Sequence, residues 1–304
     1  MEKLDERDEA LDGSKRSVPA LAVQFFLIPL AVVAAVAMVY GGFRWLFDDD
    51  RTAQEYLNDI RVGGRERRWP AAFELSRLMA DPEVQASEPA LGPALVRAFV
   101  ESENDDPRVR RYLALAVGQL TTPPADAGAR LVDALDDPEN ETRISVIWAL
   151  GSLGDPSVIP DLGRIYESDD AGIRKMVVYA LGALPGDDQI DTLRTALSDP
   201  VPDVRWNAAV ALARHGNAQG VTVLGRMLDR EYVERVAEPA VGAGEVDRVG
   251  EVMISGLNAV AALDVDTLRD SVTRLSREDE SLRVRQAAIE ALAAFDGAGA
   301  EPEG

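Results

Sequence analysis

An all-α solenoid, an α-α superhelix of about seven stacked units preceded by one membrane-length apolar segment, is the fold class predicted by three observations. The first is a recurrent string: an Arg, then small or branched apolar residues, then an aliphatic residue seven positions on. The second is its period, 31 to 33 residues through the middle of the chain. A repeat of that length is one helix pair that buries its apolar face on its neighbours. The third is the uncharged run from Val18 to Tyr40.

The chain has 304 residues, 46% hydrophobic and 28% charged, so most of it has the composition of a folded protein. Residues 1–17 lack apolar periodicity and are expected to be a disordered tail. Residues 18–47 read as a transmembrane helix with its interfacial flank. The segment Val18–Tyr40 carries one amide, Gln24, and no charge, and is long enough to cross a hydrocarbon core of about 30 Å. Arg44, Trp45 and Tyr40 stand where interfacial anchors belong. The run is too long for a cleaved signal peptide, and more acid than base precedes it. Lys15 and Arg16 on one side and Asp48 to Asp50 on the other favour export of the downstream domain, against the Arg residues at 44, 51, 61, 65, 67 and 68. The expected location is the inner (cell) membrane, single-pass, with the repeats on the extracytoplasmic side. Residues 48–64 read as a linker.

The repeats occupy 65–295. The string reads RWPAAFEL from Arg68, RRYLALAV from Arg110, RISVIWAL from Arg143, RKMVVYAL from Arg174, RWNAAVAL from Arg205 and RQAAIEAL from Arg285. A copy without the Arg, GLNAVAAL, starts at Gly256. A second amphipathic helix follows each string, as in Ser157–Glu167 with Val158, Leu162 and Ile165 at helical spacing. Asp-Pro pairs at 81, 106, 137, 155 and 199 are helix-start signals, because Asp caps and Pro fits a first turn. Two spacings break the period: Arg68 to Arg110, and Arg205 to Gly256, which accommodates an insertion near 229–250. Residues 296–304 are expected to be a second disordered tail.

The net charge of −21 excludes a phosphate-binding surface, so no nucleic acid is expected as partner. Basic residues are almost all Arg, with Lys only at Lys3, Lys15 and Lys175. There is no Cys, hence no disulfide and no thiolate site. His215, the single His, sits before Gly216 and reads as a helix C-terminal residue beside a capping glycine. The glycine cluster from Gly242 lacks a phosphate-loop Lys. No catalytic constellation, cofactor site or metal site emerges, and no small-molecule substrate is expected. The chain therefore reads as a non-enzymatic scaffold.

Two sets of residues remain as candidates. Arg68, Arg110, Arg143, Arg174, Arg205 and Arg285 recur one repeat apart, with an acid four positions earlier at Asp106, Glu139 and Asp170; they read as a structural acid–Arg ladder. The positions one and five after each Arg share a helical face, which collects Trp69, Phe73, Ile144, Trp148, Tyr179, Trp206 and Leu257. That face, with Trp69, Phe73, Trp148, Tyr179 and Trp206 as its anchors, either grips a protein partner or fills gaps between repeats.

The string Asp106-Pro107-Arg108-Val109-Arg110, echoed with two extra residues at Asp199 to Arg205, resembles the HEAT-like repeat of the phycobilisome lyase type. The resemblance covers about residues 65–295 and implies an armadillo-like α-α superhelix that binds proteins. It also implies two alternatives found among relatives: chromophore lyase activity, and removal of alkylated bases from DNA, which the charge disfavours. The expected role is a membrane-anchored adaptor that docks a protein, such as a membrane complex, with residues 18–47 in the bilayer.

Overall fold

The computed structural model describes residues 28–47, 51–237, 247–263 and 266–298. They form two compact units, divided at Arg51. Among the described residues there is no strand.

The first unit contributes one described helix, α1 (Ile28–Phe47). Its described side chains are exposed and apolar, among them Leu30, Val33, Val36 and Val39. Among the described residues no helix is long and apolar enough to cross a membrane. Residues 18–27 of the expected span lie outside the described residues, as does the expected tail 1–17.

The second unit is the solenoid. It starts earlier than the repeat string suggests. The expected linker contains α2 (Ala53–Val62), capped by Thr52, whose hydroxyl accepts from the Glu55 amide. Ala53, Tyr56, Leu57 and Ile60 are buried by the helix that follows. The strings themselves form α3 (Arg65–Leu78), α6 (Pro107–Gly118), α8 (Asn140–Leu153), α10 (Ala171–Leu181), α12 (Pro202–Arg214), α15 (Arg248–Leu263) and α17 (Leu282–Ala298). Between them lie α4 (Pro82–Ser87), α5 (Leu91–Glu101), α7 (Ala127–Val132), α9 (Ile159–Ile165), α11 (Ile190–Ala196), α13 (Val221–Met227), α14 (Arg230–Val236) and α16 (Arg269–Glu278). The long first spacing is taken up by the extra turn α4 and the full-length α5. The second is taken up by α14, where Asp229 caps the helix and Val233 is buried. Residues 238–246 of the expected insertion lie outside the described residues. Helix α17 runs to Ala298, past the expected start of the C-terminal tail; 299–304 lie outside the described residues.

Three of the five Asp-Pro pairs start helical turns as expected: Asp81, Asp106 and Asp155 each accept from the amide two residues on. Asp137 and Asp199 do not, since their helices begin at Asn140 and Pro202. Their carboxylates serve the loop and the neighbouring repeat, as described below.

The core follows the 3.6-residue period. Val146, Ile147 and Leu150 of α8, Val177, Val178 and Leu181 of α10, and Leu162 and Ile165 of α9 are buried. Each fully buried aliphatic side chain stabilises the stack by about 1.5–3 kcal/mol. Successive string helices pack along one another, whereas the second-layer helices touch each other little. Closer spacing on one side bends a stack toward that side, so the string helices form the inner layer of the superhelix.

Glycine sets that spacing. A Cβ on Gly118 would lie 2.6 Å from the Cα of Ala149, and one on Gly151 would lie 2.8 Å from the Cα of Ala180. Gly182 stands in the same relation to Ala211. The Ala-Leu-Gly ends of α8 and α10 thus dovetail, each glycine receiving the alanine of the next repeat.

Candidate functional site

The ladder arginines do not pair with the acid four residues earlier. Their planar guanidinium forks reach in two directions. Backward, each donates to main-chain carbonyls upstream in its own repeat: Arg68 to Ile60, Arg110 to Phe99, Arg143 to Leu135, Arg174 to Ser168, Arg205 to Asp199 and Arg285 to Asp279. Forward, three of them reach an Asp of the next repeat. Arg68 pairs with Asp105, Arg110 with Asp137 at 2.7 Å, and Arg174 binds Asp199 through two bonds of 2.8 and 3.1 Å. Arg230, in the insertion, performs the same task with Asp279 at 2.6 and 3.1 Å.

The receiving Asp works twice. Its second interaction accepts the amide two residues on, as in Asp137 to Glu139, Asp199 to Val201 and Asp279 to Ser281. Burial alone would raise the Asp199 carboxyl. Hydrogen bonds from Arg174, the Val201 amide and Tyr166 outweigh it and hold the group below the ordinary carboxylate value. The same contact, behind burial as the larger cause, pushes the Tyr166 phenol up to about 12. The acids four positions before the arginines are used elsewhere: Asp106 pairs with Arg108, and Asp170 caps Ile173 and accepts from Asn140.

Two rungs lack a carboxylate. Asp137, Asp199 and Asp279 stand six residues before the next string; at that place before Arg174 the chain has Ser168, and Arg143 turns to Asn140 instead. Arg205 reaches the Tyr232 hydroxyl at 3.3 Å. The spacing of the aspartates was visible in the sequence; their bridging across repeats requires the stack.

The aromatic face divides. Trp69, Phe73, Ile144 and Trp148 are half-buried on the inner layer, and Tyr179 is 44% exposed. Trp206, at 3%, and Leu257 are core residues. They share a buried cluster with Met227 of α13 and Val252 of α15, so Trp206 is not an exposed anchor. Sequence reasoning missed the neighbours of the exposed set. Arg108 stacks over Trp69 at 4.8 Å, Tyr112 meets Phe73 edge-on at 5.2 Å, and Arg111 lies over Tyr112 at 4.9 Å. Arg111 also faces Glu141 at 3.6 Å and Lys175 faces Asp203 at 3.8 Å. The result is a lane of half-exposed rings edged by loosely held charges, from α3 to α10.

His215 ends α12, beside Gly216 with φ +66°, and its ring lies 3.1 Å from the buried Gln189 amide. Among the described residues no three His, Cys, Asp or Glu side chains come together in a way that could hold a metal ion.

A two-layered stack of helix pairs, stitched by arginines and carrying half-exposed aromatics on the string helices, defines a helical-repeat solenoid. The chain belongs to the HEAT repeat family, whose model matches residues 92–182 and 165–243, together half of its length. Among curated proteins it is similar to deoxyhypusine hydroxylase of Candida albicans, at 28% identity over 114 residues, which are 36% of this chain and 35% of that protein. It is also similar to phycocyanin operon protein Z of Pseudanabaena tenuis, at 25% over 154 residues, 48% of this chain and 73% of that protein. The chain thus spans about a third of the length of the hydroxylase it matches. Among solved structures, the complex of CpcE and CpcF of phycocyanin lyase from a Nostoc species aligns with 82% of this chain and 95% of that one. The TM-score is 0.51 at 16% identity, a likeness of fold.

These relatives correct one expectation. The absence of Cys and the single His led to a non-enzymatic reading; sequence relatives that are enzymes by name, the hydroxylases at 28% and 30% identity, overturn it. A missing residue type excludes particular chemistries, never catalysis as such.

Proposed function

We propose that this HEAT solenoid docks a protein partner on its inner aromatic lane, centred on Trp148 and Tyr179, and that the apolar segment 18–47 holds it at the inner membrane with the repeats exported. The observation that carries the reading is the exposure of large rings on the layer where the superhelix is concave. Tyr179 of α10 is 44% exposed, Trp148 of α8 is half-buried, and Trp69 and Phe73 of α3 are half-buried further along the stack. Aromatic and Arg side chains dominate binding hot spots because they bury much area for little lost freedom. A lane of them in a groove is suited to an extended or helical segment of another protein.

The relatives favour a second element of the reading, that the docked protein is a substrate which this chain modifies or helps to modify. Hydroxylases at 28–30% identity support it. The chromophore-lyase version rests on the resemblance to the operon protein.

One preparation tests both. Full-length protein is purified in detergent beside a Trp148→Ala/Tyr179→Ala variant. The expected result is a specific partner lost from the variant while its melting temperature stays within about 2 °C, since half-exposed residues contribute little to the core. Co-purification of the same proteins with both versions would refute the lane. The intact mass of the partner, with and without this chain, tests modification. Because the sequence has no Cys, a single Cys at an exposed position such as Ser157, labelled by a membrane-impermeant maleimide in whole cells, tests the exported orientation; labelling only after lysis would refute it.

A further inference from the structure

One position of the string marks where repeats meet. Four residues after the first, the strings have Ala72, Ala114, Ile147, Val178, Ala209 and Val260, and each is 0% exposed. The position lies one turn before Gly118, Gly151 or Gly182, the glycines that receive the next repeat's alanine, and therefore on the same face. In α17 it holds Ile289, which is 50% exposed. One turn on, Ala293 is exposed; earlier on the same side stand Gln286 and Leu282, the latter 71% exposed. Helix α17 packs along α15 and α16 and leaves this face open. The outermost unit of a solenoid ordinarily carries a polar outer face. In the outermost described unit here, an Ile and a Leu stand on it.

The face also carries unanswered charge. Arg283 and Glu290, both exposed, stand seven residues apart and so share one flank of the ridge formed by Leu282, Gln286, Ile289 and Ala293. Neither forms an ion pair among the described residues; Glu290 accepts only from the Gln286 amide, at 2.8 Å. The chain's own residues 299–304, Gly-Ala-Glu-Pro-Glu-Gly, hold no large apolar side chain with which to cover Ile289.

We propose that this face docks a second copy of the chain, α17 against α17 in antiparallel order, about a two-fold axis beside Gln286. Such an axis reverses the sequence direction and keeps the flank. Arg283 of each copy therefore comes level with Glu290 of the other, and both charges are answered twice over. The same axis seats each Leu282 between Ile289 and Ala293 of the other copy. One patch thus complements itself, which is the condition for an isologous two-fold dimer. The contact is a single helix face, smaller than the standard interface of about 800 Å² per partner, so the dimer is weak and forms as concentration rises.

The test uses the full chain in detergent, which has no Cys of its own. Gln286→Cys is oxidised beside Ser157→Cys, an exposed position remote from α17 in the repeat order, and sedimentation is followed over a concentration series. The expected result is a disulfide-linked dimer from Gln286→Cys only. Arg283→Glu or Glu290→Arg should each weaken the reversible dimer about 10-fold, since two reciprocal pairs become like charges. The double swap Arg283→Glu/Glu290→Arg should restore it, which a merely structural role of either residue would not allow. Ile289→Asp should abolish it. Equal crosslinking from both cysteines, a monomer at every concentration, or a dimer indifferent to the charge variants overturns the proposal. Crosslinking that appears only once 299–304 are removed overturns it too, and makes those residues the occupant. If Ile289→Asp fails to fold, the exposed charge variants alone decide.

Discussion

The residue that carries most in this molecule is an aspartate that was easy to overlook. Asp199 is 5% exposed and holds three donors: the Arg174 fork, the Tyr166 hydroxyl and the Val201 amide. Asp199→Ala strands a nearly buried guanidinium, and breaking such a pair costs about 3–5 kcal/mol; chemical denaturation should read a loss of that order. The folded-state titration of Asp199 lies below its ordinary value of 3.8. Its contribution is therefore full above about pH 4 and is lost as pH falls through the lowered value. Asp199→Asn, compared with the parent from pH 7 to pH 2, should show a stability gap that is widest at neutral pH and narrows in acid. A constant gap would mean that the carboxylate's charge is irrelevant. Sequence spacing located the arginines but assigned them the wrong acids, because i, i+4 pairing is a property of one isolated helix. Here the guanidinium stem crosses to the next repeat, and two of the local acids, Asp106 and Asp170, cap their own helices.

At the scale of the element, the string helices were legible because two independent periods coincide in them: 3.6 residues within a helix and about 31 between helices. Helix α2 was legible but overlooked: it lacks an Arg-anchored string, yet Ala53, Tyr56, Leu57 and Ile60 stand at helical spacing behind Thr52, with Glu55 three residues after that cap. The division of the aromatic face was hidden. Position one after the Arg is half-exposed in α3 and α8 but buried in α12, where Trp206 joins the C-terminal core cluster with Met227, Val252 and Met253. The glycine dovetail gives a sharp prediction. Gly151→Ala places a methyl against the Ala180 backbone and should destabilise by about 1–3 kcal/mol through overpacking, although alanine favours a helix on propensity alone. Thermal unfolding of Gly151→Ala beside Gly163→Ala checks it, because a Cβ on Gly163 meets only the Thr192 hydroxyl at 3.5 Å. Equal melting temperatures would dismiss the dovetail as a constraint.

Over the whole solenoid, buried residues fall into two clusters that meet at α12. Ala208, Ala211 and Leu212 face one way, and Trp206, Ala209 and Ala213 the other. Repeat proteins unfold as a chain of coupled units, and cooperativity breaks at the weakest interface. Urea denaturation should therefore be biphasic, with the Trp206 indole following the C-terminal step and Trp148 the N-terminal one; coincident transitions would show that α12 transmits fully. With a net charge of −21, self-repulsion opposes the compact state, so both steps should move to higher denaturant when NaCl rises from 0.05 to about 0.5 M, and a fall would mean that the exposed ion pairs dominate.

The rungs that join one repeat to the next also decide where the chain could grow. Between Arg174 and Asp199 any inserted segment would have to preserve a two-bonded fork across its ends, whereas the rung from Arg205 is a single contact to a tyrosine hydroxyl. The extra helix α14 stands beside that weak rung, and Arg230 within it takes up the missing stitch to Asp279. The arginine ladder is in this sense a map of permissive and forbidden points for elongation. Foreign loops grafted after Val236 should be carried at little cost, and the same loops placed between Ser198 and Val201 should unseat the stack.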